Sequence, residues 1–346
     1  MTVPCYSVIM PAKDAASVLP ATLGALRRAA TPPGDYELIV VDDGSKDNTA
    51  SVASQFADQV IQLAGPSRGP AGARNAGAER ARGEWLVFVD ADVRVHRATL
   101  QRFGEARVRH PGANAIFGTY DATPAASGLV STYRNLLHRL VHLRGAGAAD
   151  TFWAGLGMVR RDRFAAVGGF DAERYRGPEI EDVELGYRLR DAGDSIVLDP
   201  TIEGTHLKRW TLGRRVWTDV FSRAIPWMHL LLDRGSTPAG LSVNRAEQVK
   251  VGLAGMVLLL IATAAVGRDP RFAGLALVAL LGLVMANLAV YRWFGSQRGW
   301  GFAVATVPLH LGYYLTNALA AGWVVLSRIL SGRWRRKGPG PVPGAR

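Results

Sequence analysis

Three long stretches near the C-terminal end of the chain contain no charged residue. They cover residues 251–267, 272–291 and 302–327. A helix that spans the hydrocarbon core of a bilayer needs ~20 apolar residues, with a range of ~17–25. Buried helices of a water-soluble protein could produce one such stretch, but three in succession favour a membrane domain. We therefore predict hydrophobic spans at 250–267, 272–291 and 302–327.

The first 205 residues have a different pattern, in which short apolar runs alternate with helical segments. The apolar runs lie at 6–10, 37–41, 59–63 and 85–89, and the helical segments lie near 15–30, 49–56 and 70–81. This alternation is typical of βαβ units on a mostly parallel sheet, whose buried strands are continuous apolar runs. The domains that we predict are an α/β domain at 1–208, an interfacial segment at 209–246, a membrane domain at 247–330 and a basic Pro/Gly-rich tail at 331–346.

The predicted interfacial segment begins with "RWTLGRRVWTDVFSRAIPWMHLLLDRG" (209–235), which is rich in arginine and tryptophan. This composition favours an amphipathic helix on a membrane surface, and a helix packed on the α/β domain is the alternative. The chain has 41 basic and 29 acidic residues, a net charge of +12. Nucleic acid, membrane phospholipid and a phosphate-bearing substrate would each fit this charge. For residues 209–235 a nucleic-acid patch is the weaker interpretation, because the adjoining predicted spans already account for the basic residues there.

The sequence gives conflicting signals about membrane orientation. A single cysteine excludes an internal disulfide, and no secretory signal opens the sequence, so we expect the α/β domain in the cytoplasm. Three full spans would then place residues 331–346 outside, whereas the basic residues between 328 and 337 favour the inside. Either one segment is re-entrant or interfacial, or the charge bias is overridden.

Two acidic pairs follow apolar strands. In "WLVFVDADVRV" (85–95), Asp90 and Asp92 are two residues apart and point the same way if the strand continues. Two such carboxylates can hold Mg²⁺ while leaving room for diphosphate oxygens, and a solvated turn is the alternative. In "ELIVVDDGSKDNTA" (37–50), Asp42 and Asp43 lie beyond the carboxyl end of a strand, where open α/β sheets bind ligands. A carboxylate there can accept the N–H of a nucleotide base, or can simply close a turn.

Three further stretches carry candidate site residues. In "PSRGPAGARNAGAERARG" (66–83), a helix starting near Pro70 would place Arg74 within reach of a phosphate. In "GPEIEDVELGYRLRDAGDSIVLDP" (177–200), Glu181 and Asp182 begin a helix, either as ordinary N-terminal stabilisers or with a general base among them. In "THLKRWT" (205–211), a tryptophan could stack on a sugar and an arginine could steady a diphosphate, or the two could form an interfacial pair.

Taken in order, these five stretches resemble family-2 glycosyltransferases over roughly residues 5–212, and "GMVRRDRFAAVGGFDAE" (157–173) is similar to the segment before their acidic pair. The resemblance implies a GT-A fold and a set of residue roles. Pro11, Ala12, Asp42, Asp43, Arg74 and Asp90 would bind the nucleotide; Asp90 and Asp92 would hold Mg²⁺ or Mn²⁺; Asp182, paired with Glu181, would be the general base; and Gly169, Phe170, Asp171, His206, Arg209 and Trp210 would border the acceptor and diphosphate. His206 stands where the polymer-forming members of the family usually have glutamine.

The function implied is metal-dependent, inverting transfer of a sugar from a nucleotide-diphosphate sugar to a lipid or lipid-linked glycan. We expect a multi-pass protein of the inner membrane, bound to phospholipid and acting at the cytoplasmic face in cell-envelope polysaccharide synthesis. A processive polysaccharide synthase and a polyprenyl-phosphate glycosyltransferase are the alternatives within the enzymes. A membrane scaffold that retains a sugar-nucleotide-binding fold is the non-enzyme alternative.

Overall fold

The computed structural model describes residues 4–30, 36–235 and 244–332. The chain divides into two compact units, Met1–Arg209 and Trp210–Arg346. Residues 236–243 of the predicted interfacial segment and residues 333–346 of the predicted tail lie outside the described residues.

The first unit contains strands and helices that alternate along the chain. Its strands are β1 (Tyr6–Ala12), β2 (Tyr36–Asp42), β3 (Gln59–Gln62), β4 (Trp85–Val89), β5 (Val93–Val95), β6 (Ala113–Tyr120), β7 (Gly147–Ala149), β8 (Leu156–Arg160) and β9 (Ser195–His206). Its helices are α1 (Leu19–Arg27), α2 (Thr49–Ala53), α3 (Gly69–Arg80), α4 (Thr99–Arg109), α5 (Leu129–Arg144), α6 (Arg161–Ala166) and α7 (Glu181–Asp191).

The strands form one mixed sheet in the order β3-β2-β1-β4-β8-β6-β9-β5, with β7 paired to β9. The four strands β3, β2, β1 and β4 are parallel, and so are β6 and β9, whereas β8 runs antiparallel between β4 and β6. The predicted α/β fold with a mostly parallel sheet is confirmed. Because β2, β1 and β4 are parallel neighbours, the residues that follow each of them meet at one edge of the sheet.

Both faces of the central strands are buried. On β1, Val8 and Met10 pack in one cluster with Leu19 of α1. Ile9 points to the opposite face, where a Cβ added at Gly77 of α3 would lie 2.5 Å from its Cγ2 atom. Helices therefore cover the sheet on both sides, which explains why these strands are continuous apolar runs in the sequence.

The second unit is helical throughout its described residues. Its helices are α8 (Leu212–Trp217), α9 (Ile225–Arg234), α10 (Arg245–Gly267), α11 (Pro270–Ala286), α12 (Leu288–Arg298) and α13 (Trp300–Leu330), and a π-helical segment (Thr218–Ala224) connects α8 to α9. Helix α10 packs against α11 and α13, and α12 packs against α13.

Within the described residues, α10 is long and apolar enough to cross a membrane. Helices α11 and α12 together meet the same standard as a bent pair, with 54° between them, which is compatible with a broken span or a re-entrant loop. The third predicted span falls on α13, a 31-residue helix that is not among these candidates and that contains Pro308. The number of crossings thus stays a prediction.

We expect Gly118→Ala to destabilise the protein, because the new Cβ atom would lie 2.2 Å from the carbonyl oxygen of Ile202 on the neighbouring strand. Overpacking of this kind costs about 1–3 kcal/mol, and a backbone neighbour cannot move aside as a side chain can. The measurement is the thermal unfolding midpoint of the full chain in detergent. Gly112→Ala is the matched control, since nothing lies within 4 Å of its added Cβ atom. Equal midpoints for the two variants would contradict the predicted packing of β6 against β9.

Candidate active site

The first predicted site residues lie side by side at the edge of the sheet. Asp43 donates its backbone N–H to the carbonyl oxygen of Ala12 at 2.9 Å, and Pro11 pairs with Val41 in the sheet. The carboxylate of Asp42 accepts from the backbone N–H of Ser45 at 3.0 Å and so closes the turn after β2. The ends of β1 and β2 therefore form one continuous surface beside β4.

The carboxylate of Asp43 is buried and holds the beginning of α3. It accepts hydrogen bonds from the Ser67 hydroxyl at 2.5 Å, from the backbone N–H of Arg68 at 2.7 Å and from that of Gly69 at 2.9 Å. A negative side chain is favourable at this end of a helix, where N–H groups have no partner within the helix. The predicted contact with a nucleotide base would have to share oxygens that already fix α3 in place.

The first turn of α3 also touches the loop before α7. Gly69 has a φ of +73°, and a Cβ atom at this position would lie 2.2 Å from the carbonyl oxygen of Arg176. Only glycine allows both this backbone conformation and this close approach. The start of α3 and the segment that leads to Glu181 are therefore in direct backbone contact.

Arg74 of α3 joins two acidic motifs that are 91 residues apart in the chain. Its Nη2 atom lies 2.7 Å from Asp90 Oδ1, and its Nη1 atom lies 2.8 Å from Glu181 Oε1. The Arg74 side chain is only 4% exposed, and Glu181 is similarly buried at 6%. Burial alone would lower the pKa of Arg74, but the charges of Asp90, Glu181 and Asp182 raise it above its ordinary value.

This position corrects the expectation that Arg74 projects towards a phosphate. Both terminal nitrogens of its guanidinium bond carboxylates of the protein, because the planar fork can serve two acceptors at once. Arg74 therefore holds Asp90 and Glu181 close together, and its positive charge offsets the repulsion between their carboxylates.

Phe170 is also placed differently from the prediction. Its ring is 2% exposed and packs with Phe88 and Phe164, with centroids 5.2 and 5.3 Å away, while the Arg74 guanidinium lies 5.4 Å from its centroid. The ring therefore belongs to the core beneath the site and does not border an acceptor. The backbone of Phe170 is clamped by Asn75, whose side chain accepts from its N–H at 2.9 Å and donates to its carbonyl oxygen at 2.8 Å.

The turn around Phe170 keeps its neighbours near α3. Gly169 has a φ of +68°, and a Cβ atom there would lie 2.8 Å from Asn75 Oδ1. Asp171 accepts from the backbone N–H of Arg174 at 3.0 Å, so its carboxylate stabilises the next turn of the chain.

Asp182 lies close to Asp90 because both contact the same short segment. The backbone N–H of Ala154 donates to Asp182 Oδ2 at 3.1 Å, and the next residue, Gly155, accepts from the backbone N–H of Asp90 at 3.1 Å. A second donor, the backbone N–H of Val183, lies 2.8 Å from Asp182 Oδ1. Residues 154 and 155 thus separate the acidic pair after β4 from the acidic pair at the start of α7.

The two aspartates after β4 have opposite electrostatic environments. Burial raises the pKa of Asp90, and the negative charge of Asp92 adds to the rise against the opposing charge of Arg74. Burial also acts to raise the pKa of Asp92, but His206 and Lys208 outweigh it and lower that pKa. His206 Nε2 lies 3.8 Å and Lys208 Nζ lies 4.0 Å from Asp92 Oδ2. The charges of His206 and Lys208 therefore favour the ionised form of Asp92, and the charge of Arg74 favours that of Asp90.

The donor set after β4 fits a divalent cation that is shared with a ligand. Among the described residues, no three His, Cys, Asp or Glu side chains are already arranged around a metal position. Arg74 nevertheless lies between Asp90 and Glu181, Asp182 adjoins Glu181, and Lys208 lies 4.0 Å from Asp92. Four carboxylates with two cationic side chains leave an excess of negative charge. Mg²⁺ is usually bound by one or two carboxylates together with water and phosphate oxygens, so two aspartates are sufficient.

The last predicted stretch divides between the two units. His206 is 5% exposed and stacks on Tyr120, with ring centroids 4.4 Å apart and 19° between the planes. Arg209 is exposed at the end of the first unit, and Trp210 is the first residue of the second. His206 is thus fixed beside Asp92.

Sequence reasoning missed four residues of the site: Asn75, Tyr120, Ala154 and Gly155. The sequence marks Asn75 only as a polar side chain among the small residues of "ARNAGA", because successive helix residues point about 100° apart and its position after Arg74 does not place it on the same face. No local pattern marks Ala154 and Gly155, whose contributions are backbone groups.

Comparison with known proteins decides the family. The model of the glycosyl transferase family 2 domain matches residues 7–166, a range that includes β1 to β8 and both Asp43 and Asp92. The chain contains a glycosyl transferase family 2 domain. The recognition made from the five motifs is thereby confirmed, and so is the prediction of an enzyme.

Named relatives and one solved structure agree with this family. Glycosyltransferase AglE of Haloferax volcanii is 29% identical over 217 residues, which are 60% of this chain and 68% of that protein. The PGL/p-HBAD biosynthesis glycosyltransferase of Mycobacterium tuberculosis is 35% identical over 123 residues, which are 34% of this chain and 47% of the relative, so the match spans about half of that protein. The mannosyltransferase PcManGT of Pyrobaculum calidifontis, solved with GDP-Man and Mn²⁺, has a TM-score of 0.58 at 18% identity and covers 92% of this chain and 87% of its own. This structural likeness shows that the chain shares the fold of that mannosyltransferase.

We expect Arg74→Lys to destabilise the family-2 domain and to lower its activity. A lysine offers one charged point and cannot bond Asp90 and Glu181 together as the guanidinium does. Breaking a buried ion pair costs about 3–5 kcal/mol, and the lower end applies because Asp90 is 32% exposed.

The test compares thermal midpoint and nucleotide release for Arg74→Lys and Arg80→Lys. Arg80 is exposed in the last turn of the same helix and serves as the matched control. We expect the thermal unfolding midpoint to fall by several degrees, and most of the turnover to be lost, only in Arg74→Lys. A wild-type midpoint in Arg74→Lys would show that the ion pairs of Arg74 with Asp90 and Glu181 contribute nothing to stability.

Proposed function

We propose that this family-2 glycosyltransferase transfers a sugar, with inversion, from a nucleoside-diphosphate sugar to a lipid or lipid-linked glycan at the cytoplasmic face of a membrane. The observation that carries the proposal is the convergence of two acidic motifs on one arginine. Arg74 bonds Asp90 and Glu181, and Asp182 lies next to Glu181 across residues 154–155 from Asp90. A donor bound at Asp90 and Asp92 would therefore present its sugar to Asp182.

A divalent cation is part of the proposal because of the charge of the site. A nucleotide diphosphate is anionic, so it is repelled by the four carboxylates unless a cation lies between them. Asp90 and Asp92 would hold Mg²⁺ or Mn²⁺, and the mannosyltransferase of similar fold is known in complex with Mn²⁺. When bound, the ion neutralises the charge that develops on the leaving diphosphate.

Asp182 is the general base in this proposal. Two backbone N–H groups fix the orientation of its carboxylate, one on each oxygen. A carboxylate oxygen has two lone pairs, so each oxygen can still accept a proton from an acceptor hydroxyl. The acceptor oxygen would form its bond to the anomeric carbon as the bond to the diphosphate breaks on the opposite side, and Asp182 would take the proton. Displacement from the opposite side inverts the configuration of that carbon.

The helical second unit supports a lipid-linked acceptor. Large apolar side chains are exposed along α10 and α11, among them Leu259, Ile261, Leu277 and Leu281. Exposed apolar surface of this extent on two adjacent helices is typical of contact with lipid hydrocarbon. An acceptor anchored in the same membrane would meet the enzyme at its surface.

The test of the mechanism is Asp182→Asn in the purified full chain. We expect nucleoside-diphosphate release with the best donor to fall by about 10²–10⁴-fold, because the amide cannot accept the acceptor proton. The KM for the donor should change little, since Asp182 has no part in donor binding. The donor is chosen beforehand by thermal-shift screening against UDP, GDP, CDP and dTDP sugars with Mn²⁺.

Glu184→Gln is the matched control, because Glu184 lies in the first turn of α7 and its carboxylate bonds Arg188. Its turnover should stay within about twofold of the wild type. Wild-type turnover in Asp182→Asn would refute the assigned base. Mass analysis of the product separates single transfer, which we expect, from the growth of a polymer by a processive synthase.

A further inference from the structure

The second unit contains a buried polar contact where the start of α10 and the end of α11 meet α13. The Tyr314 hydroxyl of α13 lies 2.7 Å from Glu247 Oε2 in the first turn of α10 and 3.0 Å from Asn287 Oδ1, directly after α11. Asn287 is fully buried and Tyr314 is 2% exposed. The start of α10 and the end of α11 are therefore fastened to the same point of α13, so α10 and α11 form a hairpin with its tight turn at 268–269.

Polar groups at this end of the α10–α11 hairpin determine its depth in a membrane. Lys250 Nζ bonds Glu247 at 2.6 Å, and Asn244 caps α10 by accepting from the Glu247 N–H at 3.0 Å. Ion pairs and helix caps of this kind belong at the headgroup level, where water is available. The middle of α13 must then lie at the headgroup level as well, because Tyr314 is bonded there.

The segment from α8 to α9 lies along α13 between Leu309 and Arg328. Arg215 of α8 donates to the carbonyl oxygen of Leu309 at 3.2 Å, and its partner Asp219 lies 3.1 Å away. Near the other end, Arg328 of α13 bonds Asp233 of α9 at 2.7 Å. These two contacts show that the segment runs parallel to α13 from residue 309 to residue 328.

The packing of the segment from α8 to α9 against α13 prevents residues 309–328 of α13 from crossing a bilayer. Between the charged residues Arg223 and Asp233, the segment offers only residues 224–232 as an uncharged run, about 13 Å of helix against a hydrocarbon core of about 30 Å. Helices that run side by side along their length share the same depth. Helix α10 instead meets α13 at residues 311–318, near the base of the hairpin. If α13 crossed from Leu309 onwards, the exposed Arg223, which lies between the two contacts of the segment with α13, would be carried into the hydrocarbon.

We infer that the second unit inserts in a lipid bilayer only through the α10–α11 hairpin, with the segment from α8 to α9, α12 and α13 lying at the surface from which the hairpin enters. The 54° bend after α11 directs α12 away from the hairpin. Arg292 and Arg298 of α12 and Arg328 of α13 then lie on the entry side. An excess of arginine and lysine on one side is the usual sign of the cytoplasmic face.

This topology extends the membrane association proposed above, and its test needs no activity. The native cysteine is removed by Cys5→Ser, and one cysteine is introduced at a time by Ser51→Cys in α2, Gly267→Cys at the hairpin turn or Ser331→Cys after α13. All three positions are exposed, and a Cβ atom at Gly267 meets nothing within 4 Å. Right-side-out and inside-out membrane vesicles that contain the full chain are labelled with a membrane-impermeant maleimide.

We expect Ser51→Cys and Ser331→Cys to be labelled at least tenfold faster in one type of vesicle, and Gly267→Cys at least tenfold faster in the other. If Ser331→Cys follows Gly267→Cys, α13 crosses the bilayer and the inference is wrong. If all three cysteines are labelled faster in the same type of vesicle, the hairpin does not cross the bilayer and the inference is also wrong. Any other distribution contradicts the hairpin in the same way.

Discussion

The site depends on the double ion pair of Arg74. Its guanidinium is the buried positive charge that allows Asp90 and Glu181 to lie near each other, because neighbouring carboxylates without a counter-charge repel and become protonated. Asp43 accepts hydrogen bonds from the backbone at the beginning of α3 and so fixes this helix. Arg74, one turn further along, is thereby held between β4 and α7. One helix therefore links the strand edge, where a nucleotide would bind, to the acidic pair at the start of α7.

This arrangement explains why the acidic residues are distributed over the chain as they are. Parallel strands bring Asp43 and Asp90 to one edge of the sheet, whereas Asp182 arrives on a helix that lies across residues 154–155. The antiparallel strand β8 makes this possible, since it places residues 154–155 directly beside the end of β4. The family-2 domain thus gathers its charges through topology, and the surplus negative charge is the reason that a divalent cation is part of the proposed function.

The strands and the helices between them could be predicted from the sequence because each is a local pattern of apolar residues. The prediction of β4 at 85–89 agrees with Trp85–Val89, and that of a helix at 70–81 is within one residue of Gly69–Arg80. The partners of Arg74 and the burial of Phe170 could not be predicted, because they depend on which distant segments fold against α3. Likewise, counting uncharged residues predicted three spans, but the depth of α13 depends on contacts of Tyr314, Arg215 and Arg328 with other helices.

The central claim is that the separate acidic motifs surround one cation-bound diphosphate. The most direct measurement is a crystal structure of the full chain grown with Mn²⁺ and the nucleoside diphosphate that gives the largest thermal shift, with Mn²⁺ located by its anomalous scattering. We expect one strong peak in contact with Asp92 and with the diphosphate, on the side of Asp90 that faces Asp182. A peak away from these aspartates, or a diphosphate bound without contact to either strand end, would contradict it.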